Sequence, residues 1–365
     1  MRFILSGGGT AGHIYPALAL CEELQKRGHE VYFAGTPRGV EARLVTEAQI
    51  PFKAFNTTGF NRNHPSTIFK AVSNMLRSTK EAKAWLAEIK PDAVIGFGAY
   101  VCIPVGRAAL SMNIPLIIHE QNSVMGLANK YLSRKAACVA VTYEESASHV
   151  SDQSKVQLTG NPVRNSVLTA KREEGRSYLE IPADALMLLV FGGSLGARHI
   201  NSAITQLKDR LLAHENLFIV HLTGPKEYET VVDSLALNAS QQERWKVFGY
   251  QDRMGEVLAA ADIVVARAGA TSLAEISARK IPAILVPFPF ATEDHQTTNA
   301  KAYIEREAAF MVADDDLDSV AFEQALFRLI EDARVRQSMK EAAAEFKTEN
   351  AAVRLADVVI AATHT

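Results

Sequence analysis

Residues 2–13 read RFILSGGGTAGH, and they predict a buried strand, a glycine-rich turn and the start of a helix. Glycine lets the backbone come close to a ligand, and a helix start offers N–H groups and the positive end of a dipole. The turn lacks the GxGxxG spacing of dinucleotide sites. His13 can move a proton near neutral pH. We interpret the stretch as an anion site with a candidate base; the alternative is an ordinary turn in which His13 caps the helix.

The length and composition of the chain indicate two globular domains. Its 365 residues exceed one ordinary core, and 48% hydrophobic with 22% charged residues is typical of soluble proteins. The net charge of −2 gives no reason to expect nucleic acid, but residues 1–162 carry +5 and the remainder −7. A basic first half suits an anionic partner or a membrane surface.

The cysteines and the hydropathy of the chain indicate a reducing compartment and no membrane-spanning helix. Cys21, Cys102 and Cys138 are scattered without metal-ligand spacing, which fits buried thiols in a reducing compartment. No apolar run approaches the ~20 residues of a spanning helix, and glycine at residue 7 argues against a secretory segment. Any membrane contact is therefore expected to be peripheral.

Short apolar runs alternate with helical periods in both halves, which predicts an α/β fold of two parallel βα domains. The second half also begins with a strand, a glycine loop at residues 192–198 and a helix. The turn-forming residues 160–164 mark a boundary, so the domains are predicted at 1–162 and 163–340. A helix over about 341–362 is expected, with segment 341–365 packing back on the first domain.

A long helix is predicted over residues 66–90, ended by Pro91. Phe69 and Leu76, with Lys80 and Lys83 on the same flank, either widen its core face or touch an anionic lipid surface. The predicted buried stripe is Ile68, Val72, Met75, Thr79, Ala82, Leu86 and Ile89.

Polar residues follow the strand predicted at 114–118, at the edge where open parallel sheets bind ligands. They are His119, Glu120, Gln121 and Asn122. The preceding strand ends in a second glycine-rich turn, GFGAY at residues 96–100.

Ser272 and Glu275 open a helix predicted over residues 272–280. Serine followed by glutamate three residues later is the pattern of a capping box. Alternatively, Glu275 accepts two ribose hydroxyls, with a diphosphate at the helix start beside Arg267. We favour the second interpretation because Arg267 and Gly269 precede the turn.

Two further polar stretches bear on ligand binding. Residues 289–300, PFATEDHQTTNA, are rich in groups that suit sugar hydroxyls, although Asp294 could cap a helix among solvated neighbours. Residues 314–316 are three aspartates, interpreted as acids at a helix start rather than metal ligands. No His or Cys cluster indicates another metal site.

Seven segments, in order along nearly the whole chain, resemble the MurG family of bacterial UDP-N-acetylglucosamine transferases. Ala11 and Ala99, where the family often has glycine, remove no functional side chain. The segments are GGGTAGH at 7–13, GFGAYV at 96–101, IPLIIHEQN at 114–122, GNPVR at 160–164, GGSLGAR at 192–198, RAGATSLAE at 267–275 and EDHQTTNA at 293–300.

The resemblance implies a GT-B fold, in which two Rossmann-like βα domains face across a cleft. It implies inverting transfer of GlcNAc from UDP-GlcNAc to the 4-hydroxyl of MurNAc in polyprenyl-linked lipid I, giving lipid II and UDP for peptidoglycan. No cofactor, metal or nucleic acid is expected. The expected location is peripheral, on an anionic membrane surface at the cytoplasmic face of the bacterial cell membrane, with partners among cell-wall synthesis and division proteins.

The resemblance also implies roles for individual residues. His13 is the candidate base for the acceptor hydroxyl, with His119 and Glu120 as alternatives that would otherwise order the acceptor loop. Glu275 would hold the ribose and the backbone near Gln251 the uracil. The acceptor diphosphate set is Gly9, Thr10, Ala11, Gly12, Gly98 and Tyr100. The donor set is Thr10, Ala11, Gly12, Asn122, Arg164, Ser194, Gln251, Ala270, Thr271, Ser272, Leu273, Ala274, Glu275 and Gln296.

Two other functions remain open at this point. A nucleotide-sugar 2-epimerase would have the same fold but would need no lipid acceptor. A non-catalytic nucleotide-sugar-binding subunit would tolerate loss of His13. A dehydrogenase is disfavoured because neither glycine loop has dinucleotide spacing.

Overall fold

The computed structural model describes residues 1–57, 67–193, 196–346 and 348–364, with only the backbone given for residues 67–71 and 292. The chain divides into two compact units, Met1–Arg164 with Thr348–Thr365, and Asn165–Lys347. The first unit thus extends to Arg164 rather than residue 162, and its C-terminal segment begins at Thr348 rather than residue 341.

The first unit is built on a parallel sheet whose inner strands are buried along most of their length, as expected when helices cover both faces, while the two edge strands are more exposed. The strands are β1 (Arg2–Ser6), β2 (Glu30–Gly35), β3 (Phe52–Ala54), β4 (Ala93–Gly96), β5 (Leu116–Glu120), β6 (Cys138–Val141) and β7 (Val156–Leu158). Their order is β3-β2-β1-β4-β5-β6-β7, so the direction of winding reverses between β1 and β4.

Helices pack on both faces of this sheet. Phe3 and Leu5 of β1 belong to one apolar cluster and Ile4 to another, as the two-residue period of a strand requires. This division confirms the α/β architecture predicted for the first half. The helices between these strands are α1 (Ala11–Lys26), α2 (Val40–Glu47), α3 (Thr67–Ile89), α4 (Cys102–Ser111) and α5 (Leu127–Ser133).

The buried face of α3 differs from the predicted stripe. Val72 is 51% exposed, whereas Ala82, Trp85 and Leu86 are buried. Trp85 lies off the predicted stripe, and its ring packs against Phe55 with centroids 5.8 Å apart, which turns that face toward the sheet. The predictions for the side chains of residues 68 and 69 lie outside the described residues.

Two strand predictions also need correction. β5 continues to Glu120, so His119 and Glu120 lie inside a buried strand rather than in the loop that follows it. β7 was not predicted, because its three residues are partly or fully exposed and carry no apolar period.

The second unit repeats the plan, with the strand order β10-β9-β8-β11-β12-β13 and a reversal between β8 and β11. Its described strands are β8 (Leu186–Phe191), β9 (Leu217–Leu222), β10 (Trp245–Phe248), β11 (Ile263–Ala266), β12 (Ala283–Leu285) and β13 (Ala309–Met311). Its described helices are α6 (Asn165–Thr169), α7 (Arg172–Tyr178), α8 (Arg198–Gln206), α9 (Lys208–Leu212), α10 (Tyr228–Leu235), α11 (Ala239–Arg244), α12 (Met254–Ala260), α13 (Ala270–Ala278), α14 (His295–Ile304), α15 (Val320–Glu331) and α16 (Ala333–Ala344).

The single helix predicted over about 341–362 is two helices. α16 ends at Ala344 in the second unit, and α17 (Ala351–Ala361) belongs to the first unit, where it packs against α1. Leu355 and Val359 of α17 are fully buried in the cluster that contains Phe3 and Leu5. In the described part of the chain, no helix has both the length and the hydropathy to cross a membrane.

Candidate active site

Glycine-containing loops occupy the switch point of each sheet. In the first unit, these loops follow β1 and β4, and in the second they follow β8 and β11. Ligands of open α/β sheets bind at the carboxyl ends of the strands where the order reverses. Each unit therefore has its own candidate ligand site.

The loop after β1 brings the backbone to the start of α1. Gly9 has φ +83°, a conformation that favours glycine, and a Cβ added to Gly8 would lie 2.7 Å from Glu41 Oε1. The first turn of α1 contains no acidic residue, and Thr10 makes no side-chain cap within the described structure. The positive end of the helix dipole is therefore not neutralised by its own sequence, which suits an anion.

His13 lies in the first turn of α1 and its ring is half-buried. Its Nδ1 is 2.8 Å from Gln121 Oε1. A Cβ added to Gly98 would come within 3.1 Å of His13 Cε1, so Gly98 and Gln121 confine the ring. The ring is thus engaged with the loop after β5, and the alternative that His13 merely caps its helix is wrong.

His119 is fully buried, with its Nδ1 2.9 Å from Gln121 Nε2 and its Nε2 3.1 Å from the carbonyl oxygen of Gly160. Burial lowers the pKa of His119 to about 4, against the opposing hydrogen bond to Gly160. Both ring nitrogens are occupied. His119 therefore cannot take a proton from a substrate in this arrangement.

Glu120 is also buried and acts as a local acceptor. Its Oε1 accepts from the backbone N–H of Asn122 at 3.1 Å. Its Oε2 accepts from Gly126 N at 3.0 Å and Asn129 Nδ2 at 2.8 Å. Of the two alternatives for His119 and Glu120, the geometry favours ordering of the loop over direct catalysis.

Other predicted residues of the first unit lie around this loop cluster. The Arg164 guanidinium stacks 3.7 Å from the centroid of the Tyr15 ring on α1, two residues beyond His13. Tyr100, just after Gly98, is 41% exposed. Gln121 belongs to the polar run seen in the sequence, but no role was predicted for it, because only the fold shows that it lies between two histidines.

In the second unit, α13 begins at Ala270, with Gly269 in the N-cap position. Ser272 is therefore inside the helix, and the capping-box interpretation is wrong. Glu275 lies in the second turn and is 6% exposed. Residues 270–274 form the helix start that was predicted to meet a diphosphate, and this start contains no acidic residue in its first turn.

Arg267 is engaged by side-chain and backbone groups of the protein rather than directed to the predicted diphosphate. Its Nη1 lies 2.5 Å from Asp314 Oδ1 and donates to the carbonyl of Pro287 at 3.1 Å. His199 Nδ1 lies 3.0 Å from Asp314 Oδ2, and this hydrogen bond raises the pKa of His199. Burial acts to raise the pKa of Asp314, but its bonds to His199 and Arg267 outweigh it and lower that pKa. Asp314 is thus an ion-pair partner as well as an acid at a helix start.

Of the remaining donor residues, Gln251 lies in the loop after β10 and Gln296 in the first turn of α14. Gln251 Oε1 accepts from the Tyr178 hydroxyl at 3.0 Å, and Gln296 Oε1 accepts from the backbone N–H of Phe288 at 2.9 Å. Asp294 accepts from Thr297 Oγ1 at 2.7 Å and makes no side-chain cap in the described structure. Ser194 lies outside the described residues.

The glycine loop after β8 is held close to β9. A Cβ on Gly196 would lie 2.0 Å from the carbonyl oxygen of Thr223, and Gly196 has φ +80°. Asn201 of α8 donates to that same carbonyl at 2.9 Å and accepts from His221 Nε2 at 3.0 Å. Burial lowers the pKa of His221 to about 3, so His221 is a neutral structural donor.

Within the described ranges, no group of three or more His, Cys, Asp or Glu side chains has the placement to hold a metal ion.

Comparison with known proteins gives the class. Residues 3–141 match the glycosyltransferase family 28 N-terminal domain, and residues 187–355 match its C-terminal domain. A Bacillus subtilis relative is 40% identical over 362 residues, 98% of this chain and 99% of the relative. It is described as UDP-N-acetylglucosamine--N-acetylmuramyl-(pentapeptide) pyrophosphoryl-undecaprenol N-acetylglucosamine transferase.

The solved structure of a MurG protein agrees with this class. The Acinetobacter baumannii MurG structure matches with a TM-score of 0.76 and 29% identity, covering 99% of both chains. A Neisseria meningitidis UDP-GlcNAc 2-epimerase matches with a TM-score of 0.72 at 15% identity, covering 99% of this chain and 100% of that one, which shows a shared fold alone.

The two matched domains and the two switch-point sheets define a glycosyltransferase with the GT-B fold, as the sequence predicted. Within that class, the chain belongs to the MurG family.

Proposed function

We propose that this enzyme transfers GlcNAc from UDP-GlcNAc to the 4-hydroxyl of MurNAc in lipid I, releasing UDP and lipid II for peptidoglycan. The observation that carries the proposal is the pair of switch-point sites, one in each unit, because a nucleotide diphosphate donor and a polyprenyl diphosphate acceptor need separate anion sites. The activity named for the Bacillus subtilis relative supports it.

The second unit would hold the donor. Glu275, buried in the second turn of α13, would accept hydrogen bonds from the ribose hydroxyls. The N–H groups of residues 270–274 would meet the diphosphate. The Gln251 loop would contact uracil, and Gln296 would contact the sugar.

The first unit would hold the acceptor, with residues 9–12, Gly98 and Tyr100 around its diphosphate. His13 Nε2 takes the proton of the 4-hydroxyl as that oxygen attacks C1 of GlcNAc. The attack comes from the side of C1 opposite UDP, and the bond from C1 to the UDP oxygen breaks with its electron pair on UDP, so this single in-line displacement inverts the anomeric centre. The α13 dipole stabilises the departing charge, and no metal is required.

Transfer should be tested directly with labelled UDP-GlcNAc, a soluble lipid I analogue and EDTA. We expect the label in the disaccharide product. Glu275→Gln removes the charge that would hold the ribose, so its KM for UDP-GlcNAc should rise about 10- to 100-fold. Glu323→Gln, a change at a partly exposed acid of the same unit that pairs with Arg210, should leave KM unchanged.

The assay separates the rival functions. Conversion of UDP-GlcNAc without acceptor would favour the 2-epimerase. Donor binding with neither conversion nor transfer would favour the binding subunit. Equal KM values for the Glu275 and Glu323 variants would remove Glu275 from the donor site.

We also propose that the exposed face of α3 meets the membrane, with the enzyme peripheral on the cytoplasmic side. Leu76 is 59% exposed beside the exposed Lys80 and Lys83, so an apolar side chain lies among cations. This face suits an anionic lipid surface and the polyprenyl acceptor. Cell-wall synthesis and division proteins stay predicted partners.

Vesicle binding tests this face. Neutralising Lys80 and Lys83 to glutamine should weaken binding to vesicles containing phosphatidylglycerol about 30-fold, since each lysine contributes about 1 kcal/mol. Matched replacement of the exposed Lys130 and Lys135 should have little effect. Equal losses in both double variants would assign binding to net charge rather than to α3.

A further inference from the structure

A hydrogen-bonded chain of side chains leads from the candidate base to a backbone carbonyl. His13 Nδ1 lies 2.8 Å from Gln121 Oε1. Gln121 Nε2 lies 2.9 Å from His119 Nδ1, and His119 Nε2 lies 3.1 Å from Gly160 O. Gln121 is 1% exposed, so it meets the base from within the protein. The proposed transfer step gives neither Gln121 nor His119 a part.

The carbonyl of Gly160 fixes the direction of every bond in this chain. A carbonyl oxygen only accepts, so His119 Nε2 carries the proton. Burial keeps the His119 ring neutral, so its Nδ1 bears a lone pair and accepts. Gln121 therefore turns its NH2 group toward His119. That NH2 group also donates to the His119 carbonyl oxygen at 3.0 Å, an independent anchor for the same amide orientation.

The orientation of Gln121 leaves its Oε1 toward His13. Because Oε1 only accepts, His13 Nδ1 must donate, and the lone pair of the neutral ring is on Nε2. We propose that Gln121, held by His119, is a positioning residue that keeps His13 in the tautomer able to accept a proton at Nε2. The inference rests on the proposed function, in which His13 is the base.

The anchor of the chain is itself held in place. Gly160 has φ +77°, and Arg354 of α17 donates from Nε to the neighbouring carbonyl of Thr159 at 3.0 Å. The Gly160 carbonyl, which sets the donor–acceptor direction of these hydrogen bonds, therefore belongs to a turn that is held by a hydrogen bond from α17.

The tautomer can be read without activity. Protein labelled with 15N-histidine, assigned by comparison with His13→Ala, should show His13 Nδ1 protonated and Nε2 unprotonated at a pH where the ring is neutral. Gln121→Met, of similar length without an amide, should shift His13 toward the Nε2–H form. A parent His13 with the proton on Nε2 would overturn the inference while leaving the transfer assay to judge the proposed function.

Kinetics give the second readout. Gln121→Met should lower kcat at least about 10-fold, with the Kd for UDP within about twofold of the parent, because the nucleotide is proposed to bind the second unit. His119→Phe keeps a ring beside Phe97 but no longer orients Gln121, so it should lower kcat in the same direction and mix the His13 tautomers.

Asn129→Leu is the matched control. It removes hydrogen bonds to the His119 carbonyl and to Glu120 but none to a ring nitrogen. It should leave the His13 tautomer unchanged. A Gln121→Met protein with unaltered 15N shifts and unaltered kcat would overturn the positioning role, and so would an equal tautomer change in Asn129→Leu.

Discussion

Replacing His13 with alanine is expected to lower kcat for GlcNAc transfer about 10²- to 10⁴-fold, the usual contribution of a general base. The half-buried ring lies in the first turn of α1, beside the loops after β4 and β5, where the acceptor diphosphate is proposed. UDP binding, measured by calorimetry, should be retained because the donor is proposed to bind the second unit.

His13→Asn separates proton transfer from positioning. The asparagine Nδ2 can donate to Gln121 Oε1 as His13 Nδ1 does, but it leaves nothing at Nε2 to accept a proton. We expect it to be about as inactive as the alanine variant. Recovery of most of the parent kcat in His13→Asn would mean that the ring only supports the loop, and the base would have to be sought elsewhere.

Gly196→Ala is expected to destabilise the second unit by about 2–5 kcal/mol. The added Cβ would lie 2.0 Å from the Thr223 carbonyl oxygen, and alanine pays a further cost at φ +80°. Urea unfolding followed by fluorescence measures this. The chain has two tryptophans, and in a Trp85→Phe background only Trp245, buried in the second unit, reports.

Gly193→Ala in the same background is the matched control. Gly193 has φ +88°, but no described atom lies within 4 Å of its added Cβ. Gly193→Ala should therefore lower the free energy of unfolding only by the cost of the backbone conformation, about 1–2 kcal/mol. Equal losses at the two glycines would show that the contact with Thr223 is not what requires glycine at residue 196.

Regular elements with strong apolar periods were predictable from the sequence. The strands β2 (Glu30–Gly35), β8 (Leu186–Phe191) and β11 (Ile263–Ala266) coincide with mostly apolar runs closed by glycine or a polar residue, which is the pattern of buried parallel strands. Glycine loops after such strands indicate the switch points of the sheets. Residues 9–12 and 270–275 could therefore be chosen from the sequence as candidates for ligand binding.

Features set by tertiary packing were not predictable. The sequence places His119 and Glu120 in a polar run, and only the fold shows that both are buried within β5. The sequence suggests Arg267 as a phosphate ligand, whereas the structure shows it paired with Asp314, which is distant in sequence. The orientation of α3 likewise depends on Trp85 meeting Phe55 rather than on helical period alone.

The first unit is completed by a helix, α17, that the chain makes only after the whole second unit. Phe3 and Leu5 share their apolar cluster with Leu355 and Val359 of α17, so part of that core has no cover while the preceding 350 residues leave the ribosome. The second unit, Asn165–Lys347, is continuous and needs no later segment. Synthesis thus favours a folded second unit before the first is closed, and the docking of α17 becomes the step that completes the core of the first unit.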